Sequence, residues 1–291
     1  MEPISVAVRR GEVVESVHRV HAVAVRNGDV VAAAGDPQLV TFMRSAAKPL
    51  QAVPLARERD DLEQRHLAIA SASHLAGEAQ LDAVRSLLAL APATEDDLEC
   101  GPFEGSRLRH NCSGKHAGML ALCRAQGWPT EGYRLAEHPC QQAMLQVIVE
   151  ATGLPAEEIG TAVDGCGVVT FAFGLDAMAR AFAALEQLPA GAEVAEAMRA
   201  YPELIRGVGA DDTTLMQSHG GWTAKGGAEG LLCVVGPDGL ALALKVEDGN
   251  GRALRPALGV FLERLGLPAD PFGPVATRNS RDDVVGRLEA I

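Results

Sequence analysis

The chain has 291 residues, 47% of them apolar, and carries a formal net charge of −12. A chain of this length can bury one large core, or two closely packed ones, without disulfide staples. The acidic balance argues against a nucleic-acid partner, because binding to phosphates needs a basic surface. No run of about 18 uncharged apolar residues occurs, which argues against a membrane partner.

The first ten residues contain no apolar segment of the length that a signal peptide needs. Six cysteines are too few for a disulfide framework in a chain this long, so we expect free thiols or metal ligands. Together these features predict a cytoplasmic protein.

Arginine outnumbers lysine by 22 to four. Arginine cannot be deprotonated in a protein, whereas burial lowers the pKa of a lysine enough to make it a base. The bias therefore indicates either codon usage or lysines that are present for a catalytic role. The residues around each lysine distinguish the two explanations. The four are Lys48, Lys115, Lys225 and Lys245.

Strands are predicted at the beginning of the chain. Residues 20–25 and 30–34 are apolar runs that flank Asn27-Gly28, which is a strong hairpin signal. A third short strand is predicted over residues 39–42. From about residue 49 to residue 200 the spacing is helical, with helices predicted over Glu78–Leu90, Lys115–Ala125, Cys140–Ala151, Leu175–Leu185 and Ala192–Ala200.

Strand signals return near the end of the chain. Residues 231–235 and 240–246 flank a Gly-Pro-Asp-Gly turn and predict a second hairpin, followed by a helix over residues 252–265. Strands at both ends and helices between them predict an α+β fold, an α/β sandwich whose antiparallel sheet is built from both chain ends. We expect one domain over residues 1–291, with a sheet lobe at about 1–45 and 205–291 and a helical lobe at about 46–204. The site is expected between the lobes.

A serine and a lysine, Ser45 and Lys48, lie three residues apart at the predicted start of the first helix. Residues at this spacing share one helix face, so the amine can meet the hydroxyl. A desolvated lysine can activate a serine nucleophile, and S-x-x-K is the spacing of the penicillin-recognising enzymes. The alternative is a capping serine followed by a solvated lysine.

Three further loops carry reactive side chains. Ser73-His74 ends an apolar run, and residues 110–116 (His-Asn-Cys-Ser-Gly-Lys-His) precede a helix. Asp164-Gly165-Cys166-Gly167 is a turn whose glycines let the backbone pass close to another group. Each loop is also compatible with a plain helix cap or with a buried thiol, while Cys112 and Cys166 together could ligate zinc.

Lys225 precedes two glycines on a predicted strand, in the manner of the K-T-G strand of the penicillin-recognising enzymes. The alternative is a lysine that protects an edge strand from aggregation. Lys245 lies beside Glu247 and Asp248 and fits that alternative better.

These motifs together resemble one bacterial L-asparaginase family, the thermolabile, serine-β-lactamase-like kind called asparaginase II or class 3. The resemblance spans residues from about 44 to 252. The motifs that carry it are Arg44-Ser45-Ala46-Ala47-Lys48-Pro49, Ser73-His74 with Gly77-Glu78, His110-Asn111-Cys112-Ser113-Gly114-Lys115-His116, Asp164-Gly165-Cys166-Gly167 and Lys225-Gly226-Gly227-Ala228-Glu229-Gly230.

The resemblance implies a serine-β-lactamase-like fold and hydrolysis of L-asparagine to L-aspartate and ammonia, usually by a homodimer. It implies two Ser–Lys pairs, Ser45 with Lys48 and Ser73 with Lys225, where Lys245 is the rival of Lys225. It also implies a zinc site, in which Lys115 could take part only as a neutral amine. The zinc ligands are Cys112, Lys115 and Cys166, and the residues expected to bind substrate are Arg44, His74, Asn111 and His116.

The mechanism we expect is an acyl-enzyme route in which Lys48 deprotonates Ser45, although the two Ser–Lys pairs could exchange roles. One rival is another Ser–Lys hydrolase on this fold, such as a glutaminase, a β-lactamase or an esterase. A second rival is a non-catalytic zinc-binding protein. A third is a threonine hydrolase that cleaves itself between Gly160 and Thr161.

Overall fold

The computed structural model describes all 291 residues and shows an eight-stranded antiparallel sheet made from both ends of the chain. The strands run in the order β10-β11-β1-β2-β9-β8-β7, and β3 pairs with the end of β2. The predicted α+β fold with its sheet from both chain ends is therefore confirmed. The strands are β1 Ile4–Arg10, β2 Val13–Arg26, β3 Asp29–Ala34, β7 Thr223–Gly227, β8 Leu231–Val235, β9 Ala241–Val246, β10 Val275–Arg278 and β11 Val284–Ala290.

Both predicted hairpins are present. Asn27-Gly28 connects β2 to β3, with both residues at positive φ as such a tight turn requires. The second half of β2 is buried along its length and pairs with β9, so this strand lies in the interior of the sheet.

The helices lie between the two groups of strands, with α10 after the second hairpin, and the predicted helices are all present. Buried apolar side chains of the sheet and the helices form one connected core. None of the helices is long and apolar enough to cross a membrane. The helices are α1 Lys48–Glu58, α2 Gln64–Ala70, α3 Glu78–Leu90, α4 Ser113–Gln126, α5 Pro139–Thr152, α6 Leu175–Ala184, α7 Gly191–Ala200, α8 Pro202–Ile205, α9 Asp211–Ser218 and α10 Leu254–Arg264.

A second, three-stranded sheet was not predicted. It consists of β4 Val40–Phe42, β5 Gly160–Val163 and β6 Val169–Gly174, in the order β4-β6-β5. The purely helical interpretation of residues 49–200 was therefore wrong over this segment, and the predicted third strand, β4, does not join the main sheet. In the sequence, the apolar run of β6 directly after a glycine-rich turn could have indicated this strand. That turn carries Cys166 between β5 and β6.

The turn between β4 and α1 is held tightly on both sides. Arg44 adopts a positive φ of 49°, and its amide donates to the hydroxyl of Thr170 on β6 at 3.1 Å. On the other side, a Cβ on Gly227 would lie 2.9 Å from the carbonyl oxygen of Met43. Only glycine therefore lets β7 approach the turn that carries Ser45 so closely.

Candidate active site

Lys48 is the first residue of α1, and its side chain is fully buried. The amine donates to the carbonyl of Ala72 at 2.5 Å and to the hydroxyl of Ser73 at 2.9 Å. Burial lowers the pKa of Lys48, and the nearby Lys115 cation adds to this effect against the opposing influence of the Cys112 thiol. The lowered pKa makes the neutral amine, which is the form that can act as a base, easier to reach than in a solvated lysine.

The hydrogen-bond pairing differs from the predicted one, since Lys48 bonds to Ser73 and not to Ser45. Ser73 is buried, and its amide donates to the carbonyl of Ile205 at 2.7 Å, which fixes the loop after α2. Ser45 lies half-buried on the 3₁₀ turn before α1, and its hydroxyl has no hydrogen-bond partner. A buried amine must find acceptors, and the segment that offers them in the interior is residues 72–73.

Lys225 is buried on β7 and faces an acidic residue that sequence reasoning missed. Its amine donates to the carbonyl of Gly226 at 2.7 Å and lies 3.5 Å from the carboxylate of Asp212, which is itself buried. No hydrogen bond joins Lys225 to Ser73, the serine with which it is expected to form a pair. Burial lowers the pKa of Lys225 to about 8, against the opposing effect of Asp212, and the Lys48 and Arg206 cations add to the lowering.

The structure separates the two candidate lysines of the second pair. Lys245 donates to the carbonyls of Glu229 and Val246, so it fastens the end of β9 to the turn between β7 and β8. Lys225 instead lies near enough to Lys48 for the two charges to interact. The choice of Lys225 over Lys245 is thus favoured by position.

Two thiols and an amine meet where the start of α4 faces the turn between β5 and β6. A hydrogen bond from Cys166 lowers the pKa of Cys112 well below its ordinary value, and the same bond raises the pKa of Cys166. Burial acts to lower the pKa of Lys115, but Cys166, Cys112 and Asp164 together outweigh it, so that this pKa is raised. The cluster thus couples a thiolate-forming cysteine with an ammonium group.

The donor set of this cluster is compatible with zinc. Sulfur and nitrogen donors suit zinc, and three protein ligands leave a fourth position open. No group of three or more His, Cys, Asp or Glu side chains forms a metal-binding arrangement. Any metal at this place would therefore depend on Lys115 as the third ligand, next to Cys112 and Cys166.

Three of the four residues expected to bind substrate are engaged inside the protein. Arg44 donates to the carboxylate of Asp164 at 2.7 Å, and the Nδ1 atom of the buried His116 bonds to the hydroxyl of Tyr133 at 2.7 Å. The third is His74, both of whose ring nitrogens are hydrogen-bonded. Only Asn111 is exposed, on the wall of a cavity of about 470 Å³.

His74 connects the Ser73 loop to the start of α4. Its Nδ1 atom accepts from the amide of Ala76 at 3.1 Å, and its Nε2 atom lies 2.8 Å from the hydroxyl of Ser113. Since that hydroxyl donates to the carbonyl of Leu108, it accepts from Nε2–H, which fixes a neutral imidazole. Burial, with the Lys48 cation, lowers the pKa of His74 to about 4.

Comparisons with known proteins identify the family. The family model of L-asparaginase II matches residues 6–290, so the chain belongs to this family. No curated protein sequence matches it significantly.

Solved structures with a similar fold are distant. EstCE1, a hydrolase with promiscuous acyltransferase activity, is 12% identical at a TM-score of 0.42, with 80% of this chain and 90% of that chain covered. A β-lactamase from Mycobacterium bovis is 15% identical at a TM-score of 0.39, with 80% of this chain and 88% of that chain covered. An octameric penicillin-binding protein homologue from Pyrococcus abyssi is 11% identical at a TM-score of 0.35, with 87% of this chain and 74% of that chain covered. Family membership therefore rests on the sequence match alone.

The neutral state of His74 predicts a pH dependence of stability. The unfolded chain takes up a proton near pH 6.5, whereas the folded protein does so only near pH 4. Folding stability is therefore complete above about pH 6.5 and falls by about 3 kcal/mol from this group as the pH decreases to 4. Urea unfolding of the wild type and of His74→Gln across this range measures the effect.

The variant should show a flatter pH profile than the wild type. His138→Gln, at the half-exposed start of α5, controls for the loss of a histidine as such. Equal slopes for His74→Gln and the wild type would show that His74 is not held neutral by the fold.

Proposed function

We propose that this protein hydrolyses L-asparagine to L-aspartate and ammonia through a serine acyl-enzyme. One observation carries the proposal: in a chain of the L-asparaginase II family, the Lys48 amine is buried, its pKa is lowered, and it contacts a serine hydroxyl. Ser45, three residues earlier and half-buried, is the second serine that the proposal uses.

In the proposed reaction Ser45 is the nucleophile, because substrate can reach its half-buried hydroxyl while Ser73 is fully enclosed. Neutral Lys48 takes the proton from Ser45 as its oxygen attacks the side-chain amide carbon of asparagine. Backbone amides that hold the oxyanion contribute about 3 kcal/mol each. The first two residues of α1 supply none, because the Lys48 amide donates to the carbonyl of Ser45 and Pro49 has no N–H. Lys48 then returns the proton to the leaving ammonia, and water cleaves the ester to release aspartate.

Ser73 and Lys225 support this proton transfer. Ser73 accepts a hydrogen bond of 2.9 Å from the Lys48 amine, so it can take up or return a proton of that amine. Lys225, whose pKa is lowered to about 8 by burial and in part by the Lys48 cation, is a second amine that can exchange a proton near neutral pH. Asp212 positions the Lys225 amine through their buried ion pair.

Zinc, if bound, is proposed to be held by Cys112, Lys115 and Cys166, where it would act as a Lewis acid that orients polar groups of the substrate. Lys115 would have to give up its proton on binding. Arg44 holds Asp164 beside this cluster through their ion pair. Asp164 in turn lies close enough to Lys115 to raise the pKa of the Lys115 amine. A homodimer and a cytoplasmic location remain part of the proposal.

An ammonia-release assay with L-asparagine, L-glutamine and a chromogenic β-lactam tests the activity. We expect turnover of asparagine, and a loss of more than about 1,000-fold in kcat for Ser45→Ala because the nucleophile is removed. Lys48→Arg keeps the charge and removes the base, so it should be similarly impaired.

The matched control is Ser218→Ala, at the exposed end of α9, which should keep wild-type turnover. Full activity of Ser45→Ala together with loss in Ser73→Ala would assign the nucleophile to Ser73. Turnover of the lactam or glutamine but not of asparagine would point to another hydrolase on this fold, and no hydrolysis at all would refute the enzyme.

The zinc proposal predicts about one zinc per chain after purification with metal present, measured by elemental analysis. Cys112→Ser should lose the metal, because a hydroxyl replaces a thiolate ligand. Cys123→Ser changes a buried cysteine in the last turn of the same helix and should keep it. A chelator should lower the melting temperature of the wild type but not of Cys112→Ser. Equal zinc content in both variants would exclude this site.

A further inference from the structure

Arg206 is a cation beside the site that has no partner. Its side chain makes no hydrogen bond and no ion pair, although its backbone is fixed: its carbonyl accepts from Gln80 at 3.0 Å, and the preceding carbonyl accepts from Ser73. The neighbouring arginines are engaged, since Arg44 pairs with Asp164 and Arg255 pairs with Asp211. A half-buried guanidinium left free next to a fixed backbone suits an anion that comes from outside.

The guanidinium lines a cavity of about 290 Å³ between the start of α9 and β7. Asp211, Asp212, Gly226 and Gly227 line the same cavity. Arg206 is the charged side chain on these walls that has no ion pair, because Asp211 pairs with Arg255 and Asp212 with Lys225. The cavity therefore suits the carboxylate of an α-amino acid better than a neutral amide.

One wall of this cavity packs against the turn that carries the proposed nucleophile. Gly227 on its wall packs against the carbonyl of Met43, two residues before Ser45. Lys225, the other candidate for a carboxylate, is fully buried and already bonded to Asp212 and Gly226. The cavity beside Asn111 offers no free cation, because its arginine, Arg109, is bonded twice to Glu104.

We propose that Arg206 binds the α-carboxylate of the amino-acid substrate in this cavity and thereby selects side-chain amides of free α-amino acids. This inference rests on the proposed amidohydrolase function and adds the residue that gives it substrate specificity. A guanidinium can bind a carboxylate through two parallel hydrogen bonds, which fixes the substrate's orientation as well as its position. The side-chain amide is then directed toward Ser45.

The test compares substrates that differ in one group. L-Asparagine carries the α-carboxylate, and 3-aminopropanamide is the same molecule without it. For Arg206→Gln we expect KM for L-asparagine to rise about 100-fold with kcat within about threefold, as for loss of one partner of a charge pair. The kcat/KM for 3-aminopropanamide should stay within about twofold of the wild type. Arg206→Lys, which keeps the charge, should recover part of the loss.

Arg264→Gln, an exposed arginine on α10 without an ion pair, is the control and should match the wild type. Equal losses on both substrates would assign Arg206 to the fold or to the chemistry, and unchanged kinetics would remove it from the site; either result overturns the inference.

Calorimetric binding in the Ser45→Ala background separates this inference from the proposed function. There the added Arg206→Gln change should weaken binding of L-asparagine about 100-fold and leave that of 3-aminopropanamide unchanged. If no amide is hydrolysed but this difference in binding appears, the hydrolase proposal fails and the carboxylate site stands. If binding of L-asparagine is unaffected, the carboxylate site fails whatever the activity.

Discussion

The amine of Lys48 is buried at the start of α1, and its nearest acceptors lie on a different segment, at Ala72 and Ser73. A buried ammonium is unfavourable unless it is paired with a negative charge; no carboxylate contacts this one, and burial outweighs the opposing effect of Cys112. The pKa of Lys48 is therefore lowered, which prepares the amine to act as a base beside the hydroxyl of Ser73. The remaining groups of the site act largely by preserving this arrangement.

Those groups come from parts of the chain that are far apart in sequence. The turn of Arg44 is held in an unfavourable backbone conformation by β6 on one side and by β7 on the other. The ion pair of Arg44 with Asp164 connects the same turn to the hairpin that carries Cys166. His74 connects the Ser73 loop to the start of α4. These contacts bring the segments of Ser45, Ser73 and the two thiols together at one place between the sheet and the helices, which is called the corner below.

The sequence predicted the elements of this corner better than their partners. The hairpin signals and the helical spacing were enough for the α+β fold, and the scarcity of lysine pointed to Lys48, Lys115 and Lys225. Spacing alone could not show that Lys48 reaches Ser73, because the choice depends on which acceptor lies in the interior. Asp212 resembled an ordinary acidic residue at a helix start, and Arg206 one surface arginine among many. Their roles depend on burial and on missing partners, which only the fold defines.

The four lysines also make the central claim directly measurable. In metal-free protein labelled with ¹⁵N-lysine, four side-chain nitrogen signals are expected, and Lys→Arg variants assign them. Lys225 should titrate near pH 8, and Lys48 below the ordinary lysine value of about 10.4, because burial favours their neutral forms. Titration of both near that ordinary value would contradict the account, since neither amine would then be available as a base.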